Sequence, residues 1–131
     1  MKTFVLITAL FFCNFALACS CATPTLKESF DQADFVYVGL VKSAELSGES
    51  EVTNFLSVVK EFKGHRDTDL LMSEVSNSSC AAPAAVGYTY VIFGKYGELP
   101  KLQSCSQTQV LSFYSEELLS ELKVLAANKP L

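Results

Sequence analysis

Residues 35–45 read FVYVGLVKSAE, and this stretch decides what kind of fold the chain can adopt. Its valine, phenylalanine and tyrosine favour the extended conformation, because branched and aromatic side chains pack well on a pleated surface. Gly39 interrupts the run and predicts a bulge or a bend within the strand. The segment 52–63, VTNFLSVVKEFK, has a similar composition, and the polar residues 46–51 between the two predict a hairpin loop. The chain is therefore expected to fold around a long β-hairpin.

Three shorter strands and two helices complete the predicted secondary structure. The strands are expected at residues 70–75, 88–93 and 99–104, with residues 95–98 as the turn between the last two. Thr25 and Glu28 form a capping-box pattern, so a helix of roughly ten residues should begin there and end near Asp34. A second helix is expected over residues 116–127, capped by Ser115.

Five short strands with one helix near each end of the mature chain predict an all-β domain with flanking helices. A five-stranded Greek-key barrel, similar to the oligonucleotide/oligosaccharide-binding fold, has this set of elements. The spacing of the strands is also compatible with a β-sandwich. Half of all residues are apolar, which is enough to supply one buried core.

The first 18 residues have the pattern of an export signal. Lys2 supplies a charged start, residues 4–12 are apolar, and Ala16-Leu17-Ala18 is a small-x-small cleavage site. The apolar stretch is shorter than the ~20 residues that a membrane-spanning helix needs. Cleavage after Ala18 would give a secreted chain of residues 19–131, which has the length of one domain.

The charged residues and the single histidine argue against several classes of partner and activity. Without Lys2, nine basic and fourteen acidic side chains give the mature chain a net charge of −5. They form no basic cluster that could follow a phosphate backbone, so nucleic acid is not expected as a partner. His65 is the single histidine, and its charged segment 63–69 predicts an exposed loop residue, not a metal ligand. Because no catalytic set can be assembled around it, we expect neither an enzyme nor an intrinsic metal or cofactor.

Four cysteines remain when the predicted signal, with Cys13, is removed: Cys19, Cys21, Cys80 and Cys105. An even number in an exported chain predicts two disulfides. A bridge from Cys19 to Cys21 would strain the preferred geometry, because a single residue separates them. The other two pairings both join the N-terminus to the second half of the chain. Each bridge would stabilise the fold by roughly 4 kcal/mol, and the residue pattern leaves the two pairings open.

Several segments of the chain together match a known pattern. They are Cys19-Ser20-Cys21, the helix after Pro24, ADFVYVGLV at 33–41, KEFKGHRDTDL at 60–70, SSC at 78–80 and YTYVIFGKYGELPKLQSC at 88–105. In these segments, and in the order and spacing of its cysteines, the chain resembles the netrin-like domain. Within that family it is similar to the N-terminal inhibitory domain of the tissue inhibitors of metalloproteinases. The resemblance covers almost all of residues 19–131.

This resemblance implies a fold, a disulfide pairing and a mechanism. The implied fold is a five-stranded barrel flanked by helices, with Cys19 paired to Cys80 and Cys21 to Cys105. The implied partner is a zinc metalloprotease, whose catalytic zinc would be chelated by the α-amine and carbonyl oxygen of Cys19. Ser20 would enter the specificity pocket of the enzyme, and the contact ridge would consist of Cys21, Ser78, Ser79 and Cys80. The inhibitor would act as a monomer and would hold no cofactor of its own.

Three other interpretations concern parts of the same sequence. A Cys-x-Cys start is explained by stability alone, so the domain could be a non-inhibitory interaction or structural module of the cell envelope or extracellular space. Leu17-Ala18-Cys19 is similar to a bacterial lipoprotein site, and lipid on Cys19 would block its amine and anchor the chain at the cell surface. The third, a reduced metal-binding or redox pair of Cys19 and Cys21, would require a Cys-x-x-Cys context, which is missing here. Asn77 begins a glycosylation sequon beside the predicted ridge.

Overall fold

The computed structural model describes residues 21–76, 81–113 and 115–128. Its elements are helix α1 (Leu26–Gln32), strands β1 (Phe35–Leu46), β2 (Glu51–Lys63), β3 (Leu70–Glu74), β4 (Thr89–Gly94) and β5 (Gln109–Val110), and helix α2 (Glu116–Ala127). The strands form one antiparallel sheet in the order β3-β2-β1-β4-β5. Because β4 returns to lie beside β1, the first four strands have the order of a Greek key. The predicted all-β domain with flanking helices is confirmed at this level.

The β1–β2 hairpin is the centre of the sheet, as its sequence predicts. Its pairing runs from Val36 opposite Lys63 to Leu46 opposite Val52. The register shifts between Val38 and Gly39, so the predicted bulge is present.

Each face of the sheet contributes side chains to a separate apolar cluster. The inner cluster consists of Phe35, Tyr37, Val41, Leu56, Leu71, Tyr90, Ile92 and Leu102. The helix-side cluster consists of Phe30, Ala33, Val36, Val38, Phe62, Val91 and Leu122, and it includes residues of both helices. Successive residues of β1 alternate between the two clusters, because side chains of a strand point to opposite faces.

The two helices begin where the sequence predicts, although their caps differ. Thr25 caps α1 through a complete capping box with Glu28. This helix is shorter than predicted and ends at Gln32, because Ala33 already has an extended backbone (φ −74°, ψ 141°). Helix α2 has the predicted bounds, but Ser115 makes no side-chain cap hydrogen bond.

The predicted strand at residues 99–104 is wrong. Among the described residues of this segment, pairing is limited to one parallel bridge between Lys101 and Met72 of β3. The amide of Met72 donates to the carbonyl of Pro100, and the amide of Leu102 donates to the carbonyl of Met72, both at 2.8 Å. Pro100 has no N–H to give to a ladder, which limits the pairing here. The fifth strand of the sheet is instead β5, and the described strands leave the sheet open between β3 and β5.

Candidate functional site

Most residues of the predicted inhibitory site lie outside the described part of the chain. These are Cys19, Ser20, Ser78, Ser79 and Cys80, together with the predicted Cys19–Cys80 bridge and the sequon at Asn77. Cys21 and its partner Cys105 are described. The geometry around this pair, and around the two ends of segment 77–80, is therefore the local frame for the predicted site.

A disulfide joins Cys21 to Cys105, as the resemblance implies. The two Cα atoms lie 5.9 Å apart, and the bridge spans 84 positions of the sequence. Cys21 is exposed, Cys105 is half-buried, and residues 21–25 belong to no helix or strand. The bridge thus fixes the chain two residues after the predicted first residue of the mature protein.

Among the contacts between described residues, the disulfide is the main restraint on residues 21–24. Besides it, the side-chain amide of Gln107 donates a hydrogen bond to the carbonyl of Pro24 at 2.9 Å. One such bond contributes about 1 kcal/mol, whereas fixing each residue's backbone costs about 1–2 kcal/mol. Because four residues are held, the hydrogen bond alone would not order them. The covalent bond to Cys105 therefore sets the position of the N-terminal segment.

A groove of about 320 Å³ surrounds the bridge and contacts the end of β3. We call it the N-terminal groove; it is lined by Cys21, Glu74, Lys101, Leu102, Gln103, Ser104 and Cys105. Glu74 is the last residue of β3, and two residues separate it from the segment 77–80. The end of β3 therefore lines the same groove as the anchored Cys21.

The charges in this groove are partly balanced. Glu74 lies opposite Glu51 in the β2–β3 ladder, and the ammonium of Lys101 binds the carboxylate of Glu74 at 2.9 Å. The hydrogen bond and the charge of Glu74 raise the pKa of Lys101 above its ordinary value, with a smaller contribution from Glu51. Lys101 therefore relieves the repulsion that two facing carboxylates would produce in the ladder.

Both ends of the segment that carries residues 77–80 are held against the sheet. Before it, the amide of Val75 donates to the carbonyl of Ser50 at 2.8 Å. After it, Ala82 and Ala84 pack against the inner cluster. The amide of Ala85 also donates to the hydroxyl of Tyr90 at 2.9 Å. The chain is thus held before residue 77 by a backbone hydrogen bond to the β1–β2 loop, and after residue 80 by packing against the inner cluster.

A second, more apolar groove lies beside the first. It has a volume of about 430 Å³ and is lined mainly by Ala82, Pro83, Ala85, Tyr88, Tyr90 and Val110, with Leu102, Gln103 and Ser104 shared with the N-terminal groove. The side chains of Tyr88 and Val110 remain 58% and 43% exposed at its rim. Sequence reasoning placed Tyr88 in a barrel strand and missed this groove. The small residues of AAPAA at 81–85 are the signal that could have indicated a depression here.

The inner cluster contains a buried tyrosine, Tyr37, whose ring lies near the ion pairs of Arg66. Tyr37 is fully buried, and its hydroxyl has no hydrogen-bond partner among the described residues. The guanidinium of Arg66 lies 5.7 Å from its ring centre and binds the carboxylates of Glu61 and Asp69. Burial, and secondarily the charge of Asp69, raises the pKa of Tyr37 to about 12, although Arg66 opposes the shift. The phenol therefore stays protonated and acts as part of the core.

His65 is placed as its sequence context predicts, on the surface. Its side chain is 94% exposed, and its Nδ1 lies 3.5 Å from a carboxylate oxygen of Glu61. Across the described ranges, no three histidine, cysteine, aspartate or glutamate residues are grouped closely enough to hold a metal ion. Nor does any described helix combine the length and apolar character needed to cross a membrane.

Comparison with known proteins gives no family for this chain. No protein-family model matches it, and no curated protein matches it. Its functional assignment therefore depends on the residues and on the geometry around the Cys21–Cys105 bridge.

Proposed function

We propose that the protein is a secreted inhibitor of zinc metalloproteases that acts through its mature N-terminus. The α-amine and carbonyl oxygen of Cys19 would bind the catalytic zinc of the target enzyme. Such a zinc holds three protein ligands and keeps one position for water, which an external donor pair can occupy. An unperturbed α-amine has a pKa of about 7.7–8.0, so it gives up its proton to a metal near neutral pH.

The Cys21–Cys105 disulfide is the observation that carries this proposal. A mobile terminus would lose much of its binding energy when it became ordered on the enzyme. The bridge holds the chain two residues from the proposed donors, and the residues that follow lead into the capped helix α1. Preorganisation of this kind is what a bidentate ligand at a chain terminus requires.

The remaining contact residues complete the proposed interface. Ser20 would enter the specificity pocket of the protease, and Cys21, Ser78, Ser79 and Cys80 would form the ridge beside it. A bridge between Cys19 and Cys80 would join the terminus to this ridge. The proposal is supported by the shared lining of the N-terminal groove, in which Cys21 lies with Glu74 at the end of β3.

We further infer that the sheet closes into a five-stranded barrel of the netrin-like type. The parallel bridge between Met72 and Lys101 supports this inference, because it brings the chain after β4 against the free edge of β3. The Greek-key order of the first four strands is also compatible with such a barrel.

One added residue tests the mechanism. A protein exported with a single alanine before Cys19 should lose inhibition of zinc metalloproteases, because its α-amine and first carbonyl oxygen no longer occupy the proposed positions. A matched protein with one alanine added after Leu131 should inhibit normally, and both should unfold at the temperature of the unmodified protein. Intact mass would first establish that the chain begins at Cys19 with an unacylated amine. Inhibition by the N-terminally extended protein would exclude chelation by Cys19.

A non-inhibitory interaction module is the second candidate, and the apolar groove favours it. Exposed Tyr88 and Val110 at the rim of a groove are typical of a surface that contacts another protein. Partner binding by such a module should not change when the N-terminal alanine is added, but should weaken when residues of the apolar groove are substituted. A binding partner that is lost on Tyr88→Ser but retained after the alanine extension would support this candidate.

A further inference from the structure

We propose that the sheet edge at β5 binds an extended, uncharged polypeptide segment of a partner, which pairs with Val110 and places apolar side chains in the apolar groove. The proposal uses none of the predicted N-terminal contact residues, and its test requires no protease. It therefore stands or fails independently of inhibition through Cys19. It specifies the kind of partner that an interaction module with this groove would bind.

Val110 has both of its main-chain polar groups on the open side of β5. It lies opposite Tyr90 in the β4–β5 ladder, and the amide of the next residue, Leu111, donates to the carbonyl of Thr89 at 2.8 Å. Because alternate residues of an antiparallel strand bond to the same neighbour, the N–H and the carbonyl of Val110 point away from β4. The described residues supply neither group with a partner. A partner strand can therefore exchange two hydrogen bonds with this residue.

The neighbouring edge positions already take part in internal hydrogen bonds. The carbonyl of Thr108 accepts from the hydroxyl of Ser106 at 3.4 Å, and the amide of Ser112 donates to the hydroxyl of Ser115 at 2.8 Å. Main-chain pairing with a partner is thus centred on Val110. Much of the affinity must then come from side chains of the partner.

The β5 edge lacks the residues that usually prevent strand addition. Residues 102–115, LQSCSQTQVLSFYS, include no charged side chain and no proline, although 18% of the chain is charged. Exposed edges are normally protected by lysine, by proline or by a covering segment. The opposite edge, at β3, has such protection, because residues 100–102 lie against it and Lys101 pairs there with Glu74. Of the two edges, the one at β5 is therefore suited to a partner strand.

The apolar groove determines which side chains the partner can carry. Val110 and Tyr90 are opposite in the ladder and both line the groove, so a strand beside β5 would direct alternate side chains into it. Its volume of about 430 Å³ is within the ~300–1,000 Å³ range of ligand pockets. None of the described residues that line it is charged, so a charge brought into it would lose water without gaining an opposite charge. The partner segment is therefore expected to be apolar at every second position.

Two methylated peptides test the main-chain pairing on the unmodified protein. The probe is a capped heptapeptide of alternating threonine and valine, which should bind with a Kd below about 1 mM. It should slow hydrogen exchange of the Val110 amide, measured by NMR, by about tenfold or more. N-Methylation of its valines, whose N–H groups would face β5, should weaken binding by about fivefold or more. N-Methylation of its threonines, whose N–H groups would point away from β5, is the matched control and should leave binding unchanged.

Two substitutions test the edge and the groove separately. Val110→Pro removes the edge N–H and is compatible with an edge strand, because this N–H takes no part in the ladder. Ala85→Asp places a charge in the groove, since Ala85 is exposed and lines it. Each should weaken heptapeptide binding by about fivefold or more. Val124→Asp adds the same charge at an exposed position of α2 and should bind the peptide normally.

Three results would overturn the proposal. The first is failure of the unmethylated heptapeptide to bind the unmodified protein. The second is equal binding of the valine-methylated peptide, which would show that no main-chain pairing occurs, and this comparison decides the matter even if Val110→Pro is unstable. The third is a protein that sediments as a dimer and becomes monomeric on Val110→Pro, which would show that a second copy of the chain occupies the edge.

Discussion

Tyr37 and Gly39 show how closely single residues are fitted in β1. A Cβ atom on Gly39 would lie 2.9 Å from a methyl carbon of Leu56 and 3.0 Å from the ring of Tyr37. The sequence predicted the bulge at Gly39, because a glycine within a strand-forming run has few other reasons to occur. It could not predict that the hydroxyl of Tyr37 would be buried with no hydrogen-bond partner among the described residues, since that depends on residues of distant strands.

The buried phenol of Tyr37 predicts a loss of stability at alkaline pH. Its pKa is raised to about 12 in the folded protein and is about 10 in an unfolded chain. The stability that the protonated phenol contributes is therefore fully present below about pH 10. It is lost as the pH rises toward 12, because the unfolded chain releases the phenol proton at a lower pH than the folded protein does. Tyr37→Phe should flatten this alkaline decline, measured as the free energy of unfolding in urea between pH 9 and 11, by about 1.3 kcal/mol.

Tyr88→Phe provides the matched control for Tyr37, because Tyr88 is 58% exposed. This variant should retain the alkaline decline of the unmodified protein. At neutral pH, Tyr37→Phe should be as stable as the unmodified protein or slightly more stable, because it removes a buried hydroxyl that has no partner among the described residues. A marked loss of stability at neutral pH would instead indicate a hydrogen bond to that hydroxyl.

At the scale of elements, the two helices show which end signals can be recognised in a sequence. The capping box of Thr25 and Glu28 is a local pattern, and the structure contains it. Ser115 precedes α2 at the expected position but has φ −85° and ψ 4°, whereas a capping residue is normally extended. Its hydroxyl accepts a hydrogen bond from the amide of Ser112 at 2.8 Å. Residue type alone does not show whether the hydroxyl before a helix caps that helix, as in Thr25, or accepts a hydrogen bond from the preceding loop, as in Ser115.

Removal of the α1 cap should destabilise the protein measurably. Thr25→Ala deletes the oxygen that accepts from the amide of Glu28 at 3.1 Å. It is expected to lower the free energy of unfolding by about 1 kcal/mol, as measured by urea denaturation. Thr23→Ala is the matched control, because the side chain of Thr23 is exposed and makes no hydrogen bond to any residue that the structure describes. Equal effects of the two substitutions would contradict the role assigned to the cap.

At the scale of the whole molecule, prediction from the sequence succeeds where structure is local. The long strands β1 and β2 have strong local preferences, and their bounds were predicted to within one residue. The prediction of a strand at 99–104 failed, because Pro100 has no N–H to donate and the pairing of this segment with β3 is limited to one bridge. The Cys21–Cys105 pairing needed the family resemblance, since cysteine count and spacing left two arrangements open. The apolar groove was missed because it is assembled from segments 81–90 and 102–110, which are distant in sequence.

The two apolar clusters share strands β1 and β4, so the sheet and α2 should unfold as one cooperative unit. Leu122 is fully buried in the helix-side cluster, with Val36 and Val91 on the sheet. Leu122→Ala should therefore lower the free energy of unfolding by about 2–5 kcal/mol, whereas Val124→Ala, at a position 56% exposed, should change it by about 0.5 kcal/mol or less. Far-ultraviolet circular dichroism and tyrosine fluorescence should report one coincident urea transition for both variants. Helical signal lost in Leu122→Ala before the tyrosine signal changes would show that α2 unfolds separately from the sheet.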